Sequence, residues 1–120
     1  MDAVEREQVS LILEQEGEKA LHATAKLQQE LISYHAGKGV LQSGATIKRT
    51  VANIEPEASA FVLRAVNRVA PVAQDIDAFA LILARLTVNF RHWEKELEDA
   101  VSLATGRKPE MNQSAVNAAS

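Results

Sequence analysis

The sequence predicts an all-α protein, a helical bundle in which two long helices flank a shorter, proline-kinked helical middle. Alanine, the strongest helix former, occurs 20 times in 120 residues, against only five aromatic residues. Apolar residues also recur at spacings of three and four, as in helices that pack against neighbours. We therefore expect a single domain over residues 1–106, and a flexible tail over residues 107–120, which show no periodicity.

The first helix is predicted over about residues 2–36, where glycine occurs only at Gly17 and proline is absent. Its apolar and small residues follow alternating steps of four and three, which keeps them on one face of a helix. This stripe comprises Leu13, Gly17, Ala20, Thr24, Leu27, Leu31 and Tyr34. We expect the whole stripe to face a neighbouring helix.

A shorter helical middle is predicted over about residues 45–69, with Ser43 as a candidate N-cap. Pro56 disfavours helical geometry at Glu55 and suits the first turn of a new helix, so we expect a kink or a break there. Five residues of the second part are expected to point inward: Phe61, Val62, Ala65, Val66 and Val69.

The last helix is predicted over about residues 72–104 and carries an uninterrupted apolar seam with a heptad-like spacing. Asp75 or Asp77 is its candidate N-cap, and Thr105-Gly106 its stop signal. The seam residues that we expect to form a core or an oligomer contact are Ile76, Phe79, Leu83, Leu86, Phe90, Trp93 and Leu97. This seam favours a homodimer, and a self-contained three-helix bundle is the alternative.

A glycine-rich stretch, residues 35–46, separates the first helix from the middle. Gly39 and Gly44 have the spacing of a phosphate-binding loop, but Ala45-Thr46 stands where that loop requires lysine followed by serine or threonine. The stretch is therefore interpreted as a turn between helices. An anion held by backbone N–H groups just after Gly44 is the alternative.

Positive charge is concentrated in the middle of the chain. Residues 1–36 carry a net charge of −4, residues 37–70 carry +3, and residues 71–120 carry −2. The basic residues that a partner could contact are Lys48, Arg49, Arg64 and Arg68. They indicate either pairing with the acidic first helix or an anionic partner such as nucleic acid. A faint helix-turn-helix pattern places a possible recognition helix at Thr46–Arg49. Its turn is too long for that motif, so it does not strengthen the prediction of nucleic-acid binding.

Several kinds of chemistry find no support in the sequence. The absence of cysteine excludes disulfides, thiolate zinc sites and cysteine nucleophiles. His22, His35 and His92 are scattered, no Glu-x-x-His motif occurs, and no G-x-S-x-G motif marks a serine nucleophile. We therefore expect no bound metal, no cofactor and no enzymatic activity. A ligand cavity beside Phe90 and Trp93 is an alternative to their role in the core.

The sequence also bears on location. Its longest strongly apolar run, residues 78–84, is much shorter than the roughly 20 residues of a membrane-spanning helix. The acidic and polar start of the chain does not fit a signal peptide. We expect a cytoplasmic protein without a membrane partner.

The function predicted from these observations is that of a non-enzymatic helical interaction or scaffold module. It is expected to self-associate as a homodimer through its long apolar seams, and an unidentified protein partner is a further option. The alternative is a small regulator that binds nucleic acid or another polyanion through the basic middle helices.

Overall fold

The computed structural model describes residues 1–38 and 44–106, which form three helices and no strand. These are α1 (Ala3–Lys38), α2 (Gly44–Val69) and α3 (Ile76–Ala104). The predicted all-helical bundle is confirmed at this level. The expected cap at Ser43 and the expected tail over residues 107–120 lie outside the described residues.

The three helices form an up-down-up bundle in which each helix contacts both others. α1 and α2 are antiparallel, because Glu16 contacts Arg64 while His35 contacts Thr46. α1 and α3 run in the same direction, because Asn89 contacts Gly17 and Trp93 contacts Thr24. α2 and α3 are therefore antiparallel.

α2 runs without a break through Pro56, where the sequence predicted a kink or the boundary of a second helix. Proline has no N–H, so the carbonyl of Ala52 loses its partner in the helix. Ala52 and Pro56 are both exposed, so water can satisfy this carbonyl. The middle of the chain is thus one helix of 26 residues.

α3 begins at Ile76, four residues later than the sequence predicted. Asp75 is the N-cap, and its carboxylate accepts a hydrogen bond of 3.0 Å from the backbone N–H of Ala78. The helix ends at Ala104, and Gly106 has a φ of 76°. Glycine suits this left-handed position after a helix because it has no Cβ.

The buried residues of α1 and α3 repeat every 11 positions. In α1 the pair Val9 and Leu13 is followed by Ala20 and Thr24, and then by His35. In α3 the pair Ala78 and Ile82 is followed by Asn89 and Trp93, and then by Ala100. An 11-residue repeat gives about 3.67 residues per turn, close to a straight helix, whereas a heptad seam gives about 3.5 and requires a left-handed supercoil.

This repeat explains where the predicted stripes were wrong. A heptad stripe drifts by about 20° per seven residues around a straight helix, so in α1 the later members of the predicted stripe leave the interface. Leu27 and Tyr34 are accordingly exposed, and Gln28 and His35 are buried in their place. In α2, Val62 and Val66 are exposed, whereas the other three residues expected to point inward are buried.

The apolar core occupies one half of the bundle, which we call the apolar half. It is formed by the first half of α1, the second part of α2 and α3 as far as Trp93. Its buried members are Val9, Leu13, Ala20, Phe61, Ala65, Val69, Ala78, Ile82 and Trp93. The other half, where α1 ends and α2 begins, is joined largely through polar side chains and is called the polar half.

Candidate functional site

Two of the four basic residues singled out in the sequence bind a buried carboxylate of α1. Arg64 Nε donates to Glu16 Oε2 at 2.8 Å, and Arg68 Nη1 donates to Glu16 Oε1 at 3.0 Å. Arg68 also donates to Gln15 Oε1 at 3.2 Å. The two arginines lie one turn apart on α2, so both reach the same carboxylate.

The arginines determine the protonation of Glu16. Burial alone would raise the pKa of this carboxyl, but the hydrogen bonds from Arg64 and Arg68 and the attraction of Arg64 and Lys19 outweigh it. The pKa of Glu16 is therefore held below its ordinary value. The ion pairs of Glu16 with Arg64 and Arg68 thus join α1 to α2.

The other basic residues lie at the beginning of α2. Gly44 is the first residue of this helix and is exposed, and Lys48 and Arg49 follow on its exposed surface. Arg64 is 16 residues from Lys48, about 24 Å along a helix. The four basic residues therefore do not form one compact patch.

The apolar seam predicted on α3 is mostly at the surface. Trp93 is buried, and Leu86 and Leu97 are half-buried. The remaining four are exposed to a large extent: Ile76 by 81%, Phe79 by 58%, Leu83 by 47% and Phe90 by 50%. These four side chains do not lie in the core of the single chain, because the Ala78–Ala100 stripe faces the interior instead. Their predicted role in an oligomer contact stays a prediction.

The exposed seam continues onto α2. Val62 and Val66 follow Ala58 at steps of four, and α2 runs antiparallel to α3, so they lie opposite the first part of α3. We define the α2–α3 apolar face by Val62, Val66, Ile76, Phe79 and Leu83. The neighbouring positions Ser59 and Leu63 on α2 and Ala80 and Thr87 on α3 are also uncharged, whereas Asp75, one turn before Phe79, is an exposed carboxylate that binds the N-terminal ammonium of Met1.

A groove of about 710 Å³ opens between α2 and α3 next to this face. Its apolar lining consists of Val51, Ile54, Ala58, Phe90, Trp93 and Leu97, with the rings of Phe90 and Trp93 nearly perpendicular at 84° and 5.6 Å apart. Its polar lining residues are Glu55 and Ser59 on α2 and Glu94 on α3. We call it the acid-rimmed groove. It lies where the sequence left open a cavity beside Phe90 and Trp93.

Buried polar contacts hold α1 against the other two helices. Trp93 Nε1 donates to Thr24 Oγ1 at 2.9 Å, and Gln28 Nε2 donates to Thr50 Oγ1 at 2.7 Å. His35 Nδ1 and Thr46 Oγ1 are hydrogen-bonded at 2.8 Å. These pairs were not predicted, because partners 11 to 69 residues apart have no local signature in the sequence.

Gly17 allows a polar side chain from α3 to reach the backbone of α1. Asn89 Nδ2 donates to the Gly17 carbonyl at 3.1 Å, and Arg85 Nε donates to Asn89 Oδ1 at 3.1 Å. A Cβ at position 17 would overlap the guanidinium of Arg85. Gly17, one of the small residues in the predicted α1 stripe, thus allows α3 to approach α1 closely.

Glu96 is a half-buried carboxyl of α3, and its buried Oε2 has no hydrogen-bond partner among the described residues. Burial raises the pKa of this group, and repulsion from Asp99 raises it further. The charged form of Glu96 is therefore a local cost to the folded state.

We expect Glu96→Gln to raise the free energy of unfolding at neutral pH by about 1 kcal/mol, because the amide carries no charge to desolvate. In the native chain a raised pKa stabilises the folded state below the unfolded value of about 4.5, and this contribution is lost as the pH rises through the folded value. The gain should therefore shrink as the pH falls through the folded pKa of Glu96, and should have reached its minimum by about pH 4.5. Urea denaturation at several pH values measures it. Glu98→Gln, at an exposed position on the same helix, is the control, and an equal gain there would contradict this assignment.

No three histidine or acidic side chains of residues 1–38 and 44–106 are grouped so that they could hold a metal ion. None of the three helices is long and apolar enough to cross a membrane.

Comparison with protein-family models, with curated proteins and with solved structures gives no match for this chain.

Proposed function

We propose that this protein is a non-enzymatic helical interaction module that binds a second copy of itself through the α2–α3 apolar face. The observation that carries the proposal is the exposure of Ile76, Phe79 and Leu83, which the helical spacing puts in one line on α3, together with the exposure of Val62 and Val66 on the antiparallel α2. Burying such side chains is favourable by about 25 cal/mol per Å² of apolar surface. Contiguous exposed apolar surface of this kind is typical of protein contact sites.

A second copy is the occupant that fits this face. In a two-fold dimer the same patch occupies both sides of the interface, so it must not place like charges opposite one another. The five side chains of the face are uncharged, and the Asp75 carboxylate one turn before Phe79 is already paired with the N-terminal ammonium of Met1, so self-pairing requires no further compensating charge. Two helices from each copy would then form a four-helix layer, a common arrangement of bundles.

The alternative function is the binding of nucleic acid or another polyanion. Because Arg64 and Arg68 are paired with Glu16, this binding would depend on Lys48 and Arg49. It stays a prediction of the charge pattern, and the self-association proposal makes no use of those residues.

We expect the protein to be a dimer at micromolar concentration, and the double variant Phe79→Ser, Leu83→Ser to be a monomer. Removing two large apolar side chains should weaken association about 100-fold or more. Sedimentation equilibrium measures the association, and circular dichroism checks that the helices remain.

The matched control is Val88→Ser, which removes an exposed apolar side chain from another side of α3. This variant should remain a dimer. A native protein that stays monomeric at these concentrations, or a double variant that associates as tightly as the native chain, would refute the proposal.

A further inference from the structure

The acid-rimmed groove has the size and lining of a small-molecule site. Its volume of about 710 Å³ lies within the roughly 300–1,000 Å³ of ligand pockets in proteins. Aliphatic side chains line it on both helices, and the ring of Phe90 is half exposed. An apolar body placed there would bury its own surface together with that of the walls.

The charge of the groove restricts what this apolar body can carry. Glu55 stands on the α2 wall and Glu94 on the α3 wall, and the described lining includes no basic side chain. An anionic ligand would meet two carboxylates, whereas a cationic one would be attracted by both. The exposed aromatic ring of Phe90 adds a surface that favours cations.

We propose that the acid-rimmed groove binds lipophilic cations, molecules with an aromatic or alkyl body around one weakly hydrated positive centre. A compact ammonium ion would lose strong hydration on entering an apolar groove, whereas a quaternary or delocalised cation loses little. Its body contacts Val51, Ile54 and Leu97, while its charge lies between Glu55 and Glu94. This site does not depend on self-association, because the residues that define the α2–α3 apolar face do not line the groove.

The test compares two ions of nearly equal shape and opposite charge, tetraphenylphosphonium and tetraphenylborate. Trp93 is the single tryptophan of the chain and lines the groove, so its fluorescence reports binding directly. We expect tetraphenylphosphonium to bind about tenfold more tightly than tetraphenylborate at low salt, and the difference to shrink as salt is added.

The groove variant is Glu55→Gln combined with Glu94→Gln. It should weaken phosphonium binding about tenfold and leave borate binding unchanged or tighter. Glu98→Gln combined with Glu18→Gln removes the same net charge at exposed positions outside the groove lining, and it should bind both ions as the native chain does. This control separates a local site from general attraction to an acidic protein.

Three results would overturn the inference: borate binding as tight as phosphonium binding, phosphonium binding that the groove variant leaves unchanged, or no fluorescence response to phosphonium at millimolar concentration. The Phe79→Ser, Leu83→Ser variant separates this inference from the proposed function. It should bind phosphonium as the native chain does, whatever its oligomeric state.

Discussion

We expect Phe61→Ala to lower the free energy of unfolding by about 3 to 5 kcal/mol, the range for a large aromatic side chain removed from a packed core. Phe61 is fully buried on α2 within the apolar half, where it contributes to the core cluster of all three helices. Total stabilities of single domains are only about 5 to 15 kcal/mol, so this one change removes a large share. Urea denaturation followed by Trp93 fluorescence measures it.

Leu63→Ala is the matched control for Phe61→Ala. Leu63 lies two residues further along α2 and its side chain is 63% exposed, so its removal leaves no cavity. We expect it to change stability by no more than about 0.5 kcal/mol. Equal losses at the two positions would contradict the assignment of the core to this side of α2.

The second large effect is expected at Glu16. Glu16→Ala removes the carboxylate that Arg64 and Arg68 share at the α1–α2 contact, and leaves Arg64 with only the more distant carboxylate of Glu57, at 3.9 Å. Breaking a fully buried pair costs about 3 to 5 kcal/mol. The two arginines keep 30% and 44% of their side-chain surface exposed and can reach water, so we expect about 2 to 3 kcal/mol here.

Glu14→Ala, at an exposed position two residues away on α1, is the control and should be nearly neutral. The pH dependence supplies a second measurement. Because the folded pKa of Glu16 lies below the unfolded value of about 4.5, its stabilisation is complete above that value and is lost as the pH falls through the folded pKa. The native chain should therefore lose more stability on acidification than Glu16→Ala. Parallel curves for the two proteins would show that Glu16 is not the stabilising carboxylate.

The helices of this protein could be predicted from local sequence, whereas the directions in which their faces point could not. Long stretches rich in alanine and free of proline predict α1 and α3, because helix propensity is a local property. The side of a helix on which its buried residues lie depends on whether the packed helices supercoil. A seven-residue and an 11-residue repeat differ little over one or two turns and diverge over five, which is why Leu13 is buried as predicted whereas Tyr34, 21 residues later on α1, is not.

The contacts between side chains far apart in the sequence could not be predicted, for a related reason. The charge pattern indicates pairing between α1 and the middle helix, yet Glu14, Glu16 and Glu18 are equivalent by composition. Only the orientation of α1 in the bundle selects Glu16 for Arg64 and Arg68. Likewise Glu55 and Glu94 lie 39 residues apart, and only the antiparallel packing of α2 and α3 places them on the same groove.

The division of the bundle into an apolar half and a polar half has a consequence for local opening. Hydrogen bonds between side chains, such as Gln28–Thr50 and His35–Thr46, stabilise by only about 1 kcal/mol each, less than a buried aromatic or aliphatic side chain does. Backbone amides of residues 24–38 and 44–53 should therefore exchange with deuterium through partial unfolding, while those around Phe61 and Ile82 exchange only when the whole chain unfolds. The protein would then consist of two cooperative units within one continuous set of helices.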